Sequence, residues 1–337
     1  MKKFNVGIIG YSWSGRAHIE AINNTDLAQV TSIYSSRQHN DEEISALHGS
    51  KIKCYTDLDE MLANPDIHIV SVCSYPHDRA KQAIAAARAG KHMIIEKPLA
   101  LSWDDCLAIE SAVKEAGVKA CVCFEARYAG QIITTKALID SGLLGKLHYG
   151  EVDYYHGIGP WNHQYRWNIK KESGGSSLLS AGCHAMDALF HFMGNEFENI
   201  SSYATYSENK DFKKYEYPTS SVSIVKFKNG TVGKVASILD CFQPYYFRVH
   251  LIGSEGSLFD NKFYSTKLGA LDSNQWSKLS MNMIDSGDAS DHPYQAEFEV
   301  FFKAVDENRE MPLTSLSEAL ISFKAIFAAD ESEEKSR

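Results

Sequence analysis

The sequence predicts an α/β chain: an N-terminal Rossmann-type doubly wound parallel sheet, then an α+β domain with a mostly antiparallel open sheet. Three observations predict it. From Met1 to about Phe124, short apolar runs alternate with stretches of helical period. A glycine-bearing turn, Gly10 to Gly15, follows the first run and opens the first helix. Past Phe124 strand-like segments dominate, and Asn229-Gly230 joins two of them as a hairpin turn. The expected domains are 1–124, a Rossmann-type dinucleotide-binding domain, and 125–337, an α+β domain. A chain of 337 residues is long enough for two, since one core rarely grows beyond roughly 250–300 residues.

In the first domain the expected strands are Asn5–Gly10, Gln29–Ser35, Ile67–Ser74, Met93–Glu96 and Lys119–Phe124. Helical stretches lie between them at Gly15–Asn23, Asp41–Leu47, Leu58–Leu62, Arg79–Ala89 and Trp103–Ala116, with Gly90 and Gly117 as stops. In the second domain Ile132–Ser141 reads as a helix. Strands follow at Leu147–Tyr155, Ser201–Tyr206, Ser220–Lys228, Thr231–Leu239 and Tyr246–Ile252, and Gly253-Ser254-Glu255-Gly256 turns the chain before Ser257–Phe259. Pro293–Val305 and Leu316–Ala329 are amphipathic closing helices, and the charged tail Glu331–Arg337 is expected to fray.

A net charge of −9 argues against general binding of nucleic acid or anionic membrane, while leaving room for a local basic pocket. The apolar run after Lys2-Lys3 breaks at Gly10-Tyr11-Ser12, so it reads as a first strand rather than a signal peptide. No later stretch approaches the ~18–20 apolar residues of a membrane span. Seven scattered cysteines suit free thiols in a reducing, cytoplasmic compartment.

Two strand ends carry the nucleotide expectation. In Gly10-Tyr11-Ser12-Trp13-Ser14-Gly15, Gly10 supplies the tight turn and Gly15 permits close helix–strand packing, while Ser12 stands where the middle glycine of a dinucleotide fingerprint belongs. N–H groups at the start of the helix can still bind phosphates. The second strand ends in Ser35-Ser36-Arg37, where an NAD site usually has an acidic residue for the ribose 2′-hydroxyl. Hydroxyl donors beside a planar guanidinium fit a 2′-phosphate, which points to NADP ahead of NAD; the bland alternative is a polar loop. The fourth expected strand ends at Glu96-Lys97-Pro98, a charged tip on a buried strand, in the place where open α/β sheets bind ligands.

These motifs, together with Tyr55–Leu62, Ser74-Tyr75-Pro76-His77, Ala89-Gly90-Lys91-His92, Ser173-Gly174-Gly175 and Gly182–Asp187, resemble the Gfo/Idh/MocA-type oxidoreductases almost end to end. That family acts largely on sugars, cyclitols and their derivatives. The resemblance implies a Rossmann domain followed by an α/β domain whose open sheet forms a homodimer or homotetramer, with substrate between the domains. It implies nicotinamide against Ser74, Tyr75, Pro76, His77, Glu96 and Lys97, and a commonly cis Lys97–Pro98 peptide. It also places a catalytic histidine at His184. Four residues earlier the family usually has an aspartate, and here Ser180 stands instead.

Oxidising a secondary alcohol requires the hydroxyl proton to leave as hydride moves. His184 suits the general base and Lys97 the group that stabilises negative charge on oxygen. Ser180, His184 and Asp187 are expected near one face of a helix running from Ser176 or Ser177 to Phe192, with Asp187 orienting His184 or capping backbone. His184, Asp187 and His191 also have helical spacing, but histidines seven residues apart are too distant for one ion, so no metal is assigned. The glycine-hinged loop His156–Trp167 offers Trp161 and Tyr165 to a polyhydroxylated ring, or else covers the sheet. In Phe124–Tyr128, Arg127 is a further substrate candidate, and Glu125 replaces a frequent family asparagine. The leading expectation is an NAD(P)-dependent dehydrogenase or reductase acting on CH–OH groups. The alternatives are a cofactor-binding sensor without turnover and redox-assisted glycoside cleavage.

Overall fold

The computed structural model describes residues 3–285, 287 and 292–336. By internal contacts the chain forms two units, residues 1–125 with 288–320 and residues 126–287 with 321–337.

The first unit holds a six-stranded sheet built from β1 (Phe4–Ile9), β2 (Ala28–Tyr34), β3 (Lys53–Tyr55), β4 (Ile69–Val72), β5 (His92–Ile95) and β6 (Ala120–Val122). Its order is β3-β2-β1-β4-β5-β6, all parallel. This order reverses direction between β1 and β4, the place where open sheets bind ligands. The strands are largely apolar, as in a sheet buried on both faces: β4 is buried throughout, and β5 is buried from Met93 to Ile95. The short β3, Lys53–Tyr55, gives too brief an apolar signal to be read as a strand from sequence.

Local chemistry sets the helices. α1 (Trp13–Asn23) is capped by Ser12, α2 (Asp41–His48) by Asn40, α3 (Leu58–Ala63) by Asp57 and α5 (Trp103–Ala116) by Ser102, each accepting from a first-turn N–H. α4 (Pro76–Arg88) begins with Pro76 in its first turn, where a missing N–H costs nothing, and α5 ends on Gly117 in the left-handed conformation.

The second unit begins with α6 (Gly130–Asp140) and β7 (Leu147–Tyr155), followed by the short helices α7 (Tyr165–Asn168) and α8 (Lys171–Gly174). A π turn at Leu178–Gly182 leads directly into α9 (Cys183–Met193). Strands β8 (Phe197–Thr205), β9 (Ser220–Phe227), β10 (Val232–Ile238), β11 (Tyr246–Gly253), β12 (Gly256–Phe259), β13 (Lys262–Ser265) and β14 (Ser277–Lys278) complete a sheet of order β14-β13-β12-β11-β7-β10-β9-β8. Only β7 and β10 pair in parallel among its described strands. Asn229-Gly230 turns β9 into β10 as expected; Gly230 sits at φ 87°, and Asn229 Oδ1 accepts from Thr231 N at 3.0 Å. α9 packs on β7 and β10.

The closing helices depart from the sequence expectation. α10 (Tyr294–Asp306), expected in the second domain, belongs to the first unit. Its apolar stripe Tyr294, Phe298, Phe301 and Phe302 is buried, with Phe298 4.8 Å from the His18 ring and Phe302 6.3 Å from Phe4. α11 (Leu316–Lys335) continues well past Ala329, so the tail does not fray over its described residues. The cause is buried polar pairing: Glu333 Oε1 accepts from Ser202 Oγ at 2.8 Å and from Ser221, and Ser176 Oγ donates to Asp330 at 2.9 Å. Arg337 lies outside the described residues.

Candidate active site

At the carboxyl end of β1, Gly10 takes φ 99°, and a Cβ there would stand 2.8 Å from Ser74 N. A Cβ on Gly15 would meet Gly10 O at 2.4 Å. Both glycines are therefore required by backbone approach. Ser12 is the N-cap of α1: its Oγ accepts from Gly15 N at 3.2 Å and donates to Cys73 O at 3.0 Å, tying the turn to the end of β4. Ser14 Oγ lies 3.0 Å from Ser12 Oγ, and Trp13 opens the helix. With no acidic residue in its first turn, the start of α1 suits the pyrophosphate of a dinucleotide. The residues present fit that group.

After β2, Ser35 Oγ accepts from Arg37 N at 3.2 Å and lies 3.2 Å from His39 Nε2, while Ser36 and Arg37 are exposed. After β4, Ser74 Oγ donates to Gln82 Oε1 at 2.5 Å, Pro76 is buried at the start of α4, and the rings of Tyr75 and His77 stack on the surface with centroids 5.8 Å apart.

The β5 end is the most heavily built part of the first unit. Glu96 is buried, and its Oε2 accepts the main-chain N–H of Lys97 at 2.9 Å. Its Oε1 lies 3.0 Å from His18 Nε2 and accepts from Tyr294 Oη at 2.7 Å. The Lys97–Pro98 peptide is cis, and Arg79 Nη1 donates to Pro98 O at 2.6 Å. Burial opposes charge on Glu96, but the hydrogen bond and charge of His18, then Arg79 and Lys97, hold its carboxyl well below the usual range. Burial likewise opposes the His18 imidazolium, yet the Cys73 sulfur and the Glu96 carboxylate outweigh it and push His18 up to about 10.

Neighbouring Glu125 is pushed up to about 8 by burial and then by the charge of Glu96, and its Oε1 lies 3.1 Å from His292 Nδ1. His18, Glu96 and Cys123 bring three metal-capable atoms within 4.8 Å of one another, a grouping that sequence spacing did not reveal.

In the second unit, His184 lies in the first turn of α9 and Ser180 in the π turn before it; both are buried. The expected uninterrupted helix is thus broken by a wider turn, a feature frequent at functional sites. Ser176 does cap it, accepting from Leu179 N at 3.1 Å. Gly182 lets this turn lie against β10, where a Cβ would stand 2.5 Å from the Ser237 side chain. Ser180 lies near the Tyr217 phenol, whose Oη donates to Asn168 at 2.7 Å. Tyr217 and Asn168 were not anticipated, since neither falls in a recognisable motif.

Asp187 has a different occupation from the one expected. It receives Arg127 Nε at 2.8 Å and Arg127 Nη2 at 2.8 Å, and Ser322 Oγ at 2.8 Å. That buried bidentate pair spends one edge of the Arg127 guanidinium on α9 rather than on a substrate. Tyr165 is buried and donates to Asp211 O at 2.5 Å, so it too supports the loop. Trp161 is 61% exposed, with its Nε1 donating to Gly157 O at 3.1 Å. His191 is lowered to about 4 by burial and then by Arg127.

Residues 4–124 match the oxidoreductase family with an NAD-binding Rossmann fold, and residues 132–259 match the GFO/IDH/MocA C-terminal domain. The chain belongs to the Gfo/Idh/MocA family of oxidoreductases. It is 25% identical to the myo-inositol 2-dehydrogenase of Thermotoga maritima over 332 residues, covering 98% of this chain and 97% of that one. It is 26% identical to the levoglucosan dehydrogenase of Pseudarthrobacter phenanthrenivorans, covering 87% and 82%. Among solved structures, a levoglucosan dehydrogenase in complex with NADH and levoglucosan superposes with a TM-score of 0.82 at 23% identity, covering 100% of this chain and 98% of that one.

Proposed function

We propose that this oxidoreductase transfers a hydride between a nicotinamide cofactor and a secondary hydroxyl or ketone of a sugar, cyclitol or sugar derivative. The observation that carries the reading is the Glu96-Lys97-Pro98 tip of β5, where half-buried Lys97 stands between buried Glu96 and Pro98, set in a sheet of Rossmann order. The named activities of the relatives, an inositol and an anhydrosugar dehydrogenase, support the substrate class.

When bound, the nicotinamide accepts or returns the hydride. Lys97 holds the reacting oxygen and stabilises negative charge on it, and His184 takes the hydroxyl proton or returns it to the alkoxide in the reducing direction. Ser180, in place of a carboxylate, offers a hydroxyl to substrate or imidazole. Trp161 supplies an exposed aromatic face for a polyhydroxylated ring. Lys97→Ala is expected to abolish turnover while NADH affinity stays within about threefold, because its loss removes charge stabilisation in the transition state. Unchanged turnover sinks the assignment.

We further propose a preference for NADP over NAD, supported by the absence of a carboxylate in Ser35-Ser36-Arg37 and by the exposure of Arg37. Arg37→Ala then weakens NADPH binding and leaves NADH binding unchanged. An absorbance screen at the nicotinamide band, crossing both cofactors with sugars, cyclitols and keto-sugars, tests the whole reading. Tight cofactor binding without turnover on any of them favours a sensor, and aglycone release without net NADH or NADPH favours glycoside cleavage.

The outer face of the second sheet supports a homodimer or homotetramer. It exposes Tyr203, Val222 and Ile224 beside a charged network in which Lys234 Nζ lies 2.7 Å from Asp153 and Arg248 Nη2 3.0 Å from Glu151. All seven cysteines are free thiols, and among the described residues no helix is long and apolar enough to cross a membrane. The free thiols support a reducing cytoplasm.

A further inference from the structure

His18, Arg79 and Tyr294 are buried polar residues with no part in the chemistry proposed above, yet all three converge on the segment that carries Lys97. His18 comes from α1, Arg79 from α4 and Tyr294 from α10, elements that are far apart in sequence. His18 Nε2 and Tyr294 Oη both reach Glu96 Oε1, at 3.0 and 2.7 Å, and Glu96 Oε2 grips the N–H of Lys97 at 2.9 Å. On the other side Arg79 Nη1 holds the Pro98 carbonyl at 2.6 Å. The main chain is therefore fixed immediately before and immediately after Lys97.

We propose that His18, Arg79 and Tyr294 are positioning residues for Lys97, clamping the strand end from which its ammonium projects. The proposal rests on Lys97 being the charge-stabilising group. A buried ion pair is weak support for stability, because desolvation offsets much of its attraction. Stability alone therefore does not account for three buried donors spent on one tip. Geometry does: misplacement of a reacting group by about 1 Å can cost on the order of a hundredfold in rate.

The surroundings fit a fixed charge. His18 Nδ1 lies 2.7 Å from Ser71 Oγ and 3.3 Å from Cys73 Sγ, so the ring is held at both nitrogens. Other ionisable groups around the tip include Cys123, Glu125, Glu297, His292 beside Tyr294, and Lys97 itself, and burial raises the two carboxyls and the Cys123 thiol towards their neutral forms. Glu96 is thus the carboxylate that keeps its charge among them. A metal held by His18, Glu96 and Cys123 is the competing use of these atoms. It requires the Cys123 thiolate, which burial disfavours, and loss of the His18–Glu96 hydrogen bond.

The test uses Tyr294→Phe, which removes one hydrogen bond at nearly constant volume, and the pair His18→Gln and His18→Leu. Turnover is measured on the substrate found by the screen, and NADH binding by nicotinamide fluorescence. Tyr294→Phe is expected to lower kcat on the order of tenfold, with KM and NADH affinity within about threefold of wild type. His18→Gln, which keeps a donor towards Glu96, is expected to retain more activity than His18→Leu. Full activity in Tyr294→Phe while Lys97→Ala is dead overturns the clamp alone; turnover in Lys97→Ala removes the reading beneath it. Parallel losses of kcat, NADH affinity and thermal midpoint in Tyr294→Phe mean a structural role and overturn the proposal. Stoichiometric zinc in the purified protein, absent from Cys123→Ser, overturns it as well.

Discussion

At the scale of single residues, charge burial dominates this protein. Arg127 and Asp187 form a bidentate pair with side chains only 4% and 2% exposed, and Ser322 completes the carboxylate's shell. Removing one partner strands the other in a dry site. Arg127→Ala is therefore expected to cost about 3–5 kcal/mol in urea unfolding, whereas a surface pair contributes well under that. Proton linkage gives a second residue-level prediction. Glu125, raised to about 8, binds its proton more tightly in the folded chain, so its contribution to stability falls as pH rises from 4.5 to 8. His18, raised to about 10, contributes fully below 6.5 and loses that contribution as pH climbs through about 10. Both slopes run downward, and above about pH 6.5, where the lowered His191 no longer adds stability with rising pH, unfolding free energy should decline towards pH 10. Glu125→Gln should gain on wild type progressively from pH 4.5 to 8 and then level off. A difference independent of pH would remove Glu125 from the account.

At the scale of elements, turns and caps decide where the chemistry stands. Gly10 cannot carry a Cβ without meeting Ser74 N, and its φ of 99° is one that other residues rarely adopt. Gly10→Ala should therefore cost both stability and NADH affinity, measured by thermal melting and fluorescence titration. Ser12→Ala, which removes the cap of α1, is expected to cost about 1 kcal/mol in unfolding free energy. The departure of Ser12 from the glycine pattern is thus a capping device that holds the first turn of α1 in place. At the other end of the chain, Glu333→Ala should destabilise by about 1–3 kcal/mol, because Ser202 and Ser221 lose a buried acceptor. A tail that merely frayed would show no change.

At the scale of the whole molecule, the outer face of the second sheet carries the prediction. Ile224 is 45% exposed on a strand whose alternate residues are buried. If this face joins copies of the chain, Ile224→Asp should shift the protein to a monomer in size-exclusion chromatography with light scattering. An unchanged mass would place any oligomer elsewhere.

Much of this was legible in the sequence, because the signals were local. Apolar runs bounded by Gly and Pro gave β1, β2, β4, β5 and β6, and Trp103–Ala116 was read with its ends correct because Ser102 and Gly117 mark them. Asn229-Gly230 announced its hairpin, and Glu96-Lys97-Pro98 its charged strand end, because each is contiguous. What escaped is what depends on distant partners. The stripe of α10 is visible as an amphipathic pattern, but nothing in it says which unit it covers. The Arg127–Asp187 pair spans sixty residues, and Glu96 meets Tyr294 across nearly two hundred. Sequence by itself determined the family, the alternation of the longer strands and helices and Lys97 at the tip of β5, since backbone propensity and contiguous motifs act over a few residues. Only the tertiary structure decided that Asp187 holds Arg127 and that His18, Arg79 and Tyr294 surround the Lys97 segment. Desolvation and hydrogen bonding act through space, and the spacing along the chain does not record them.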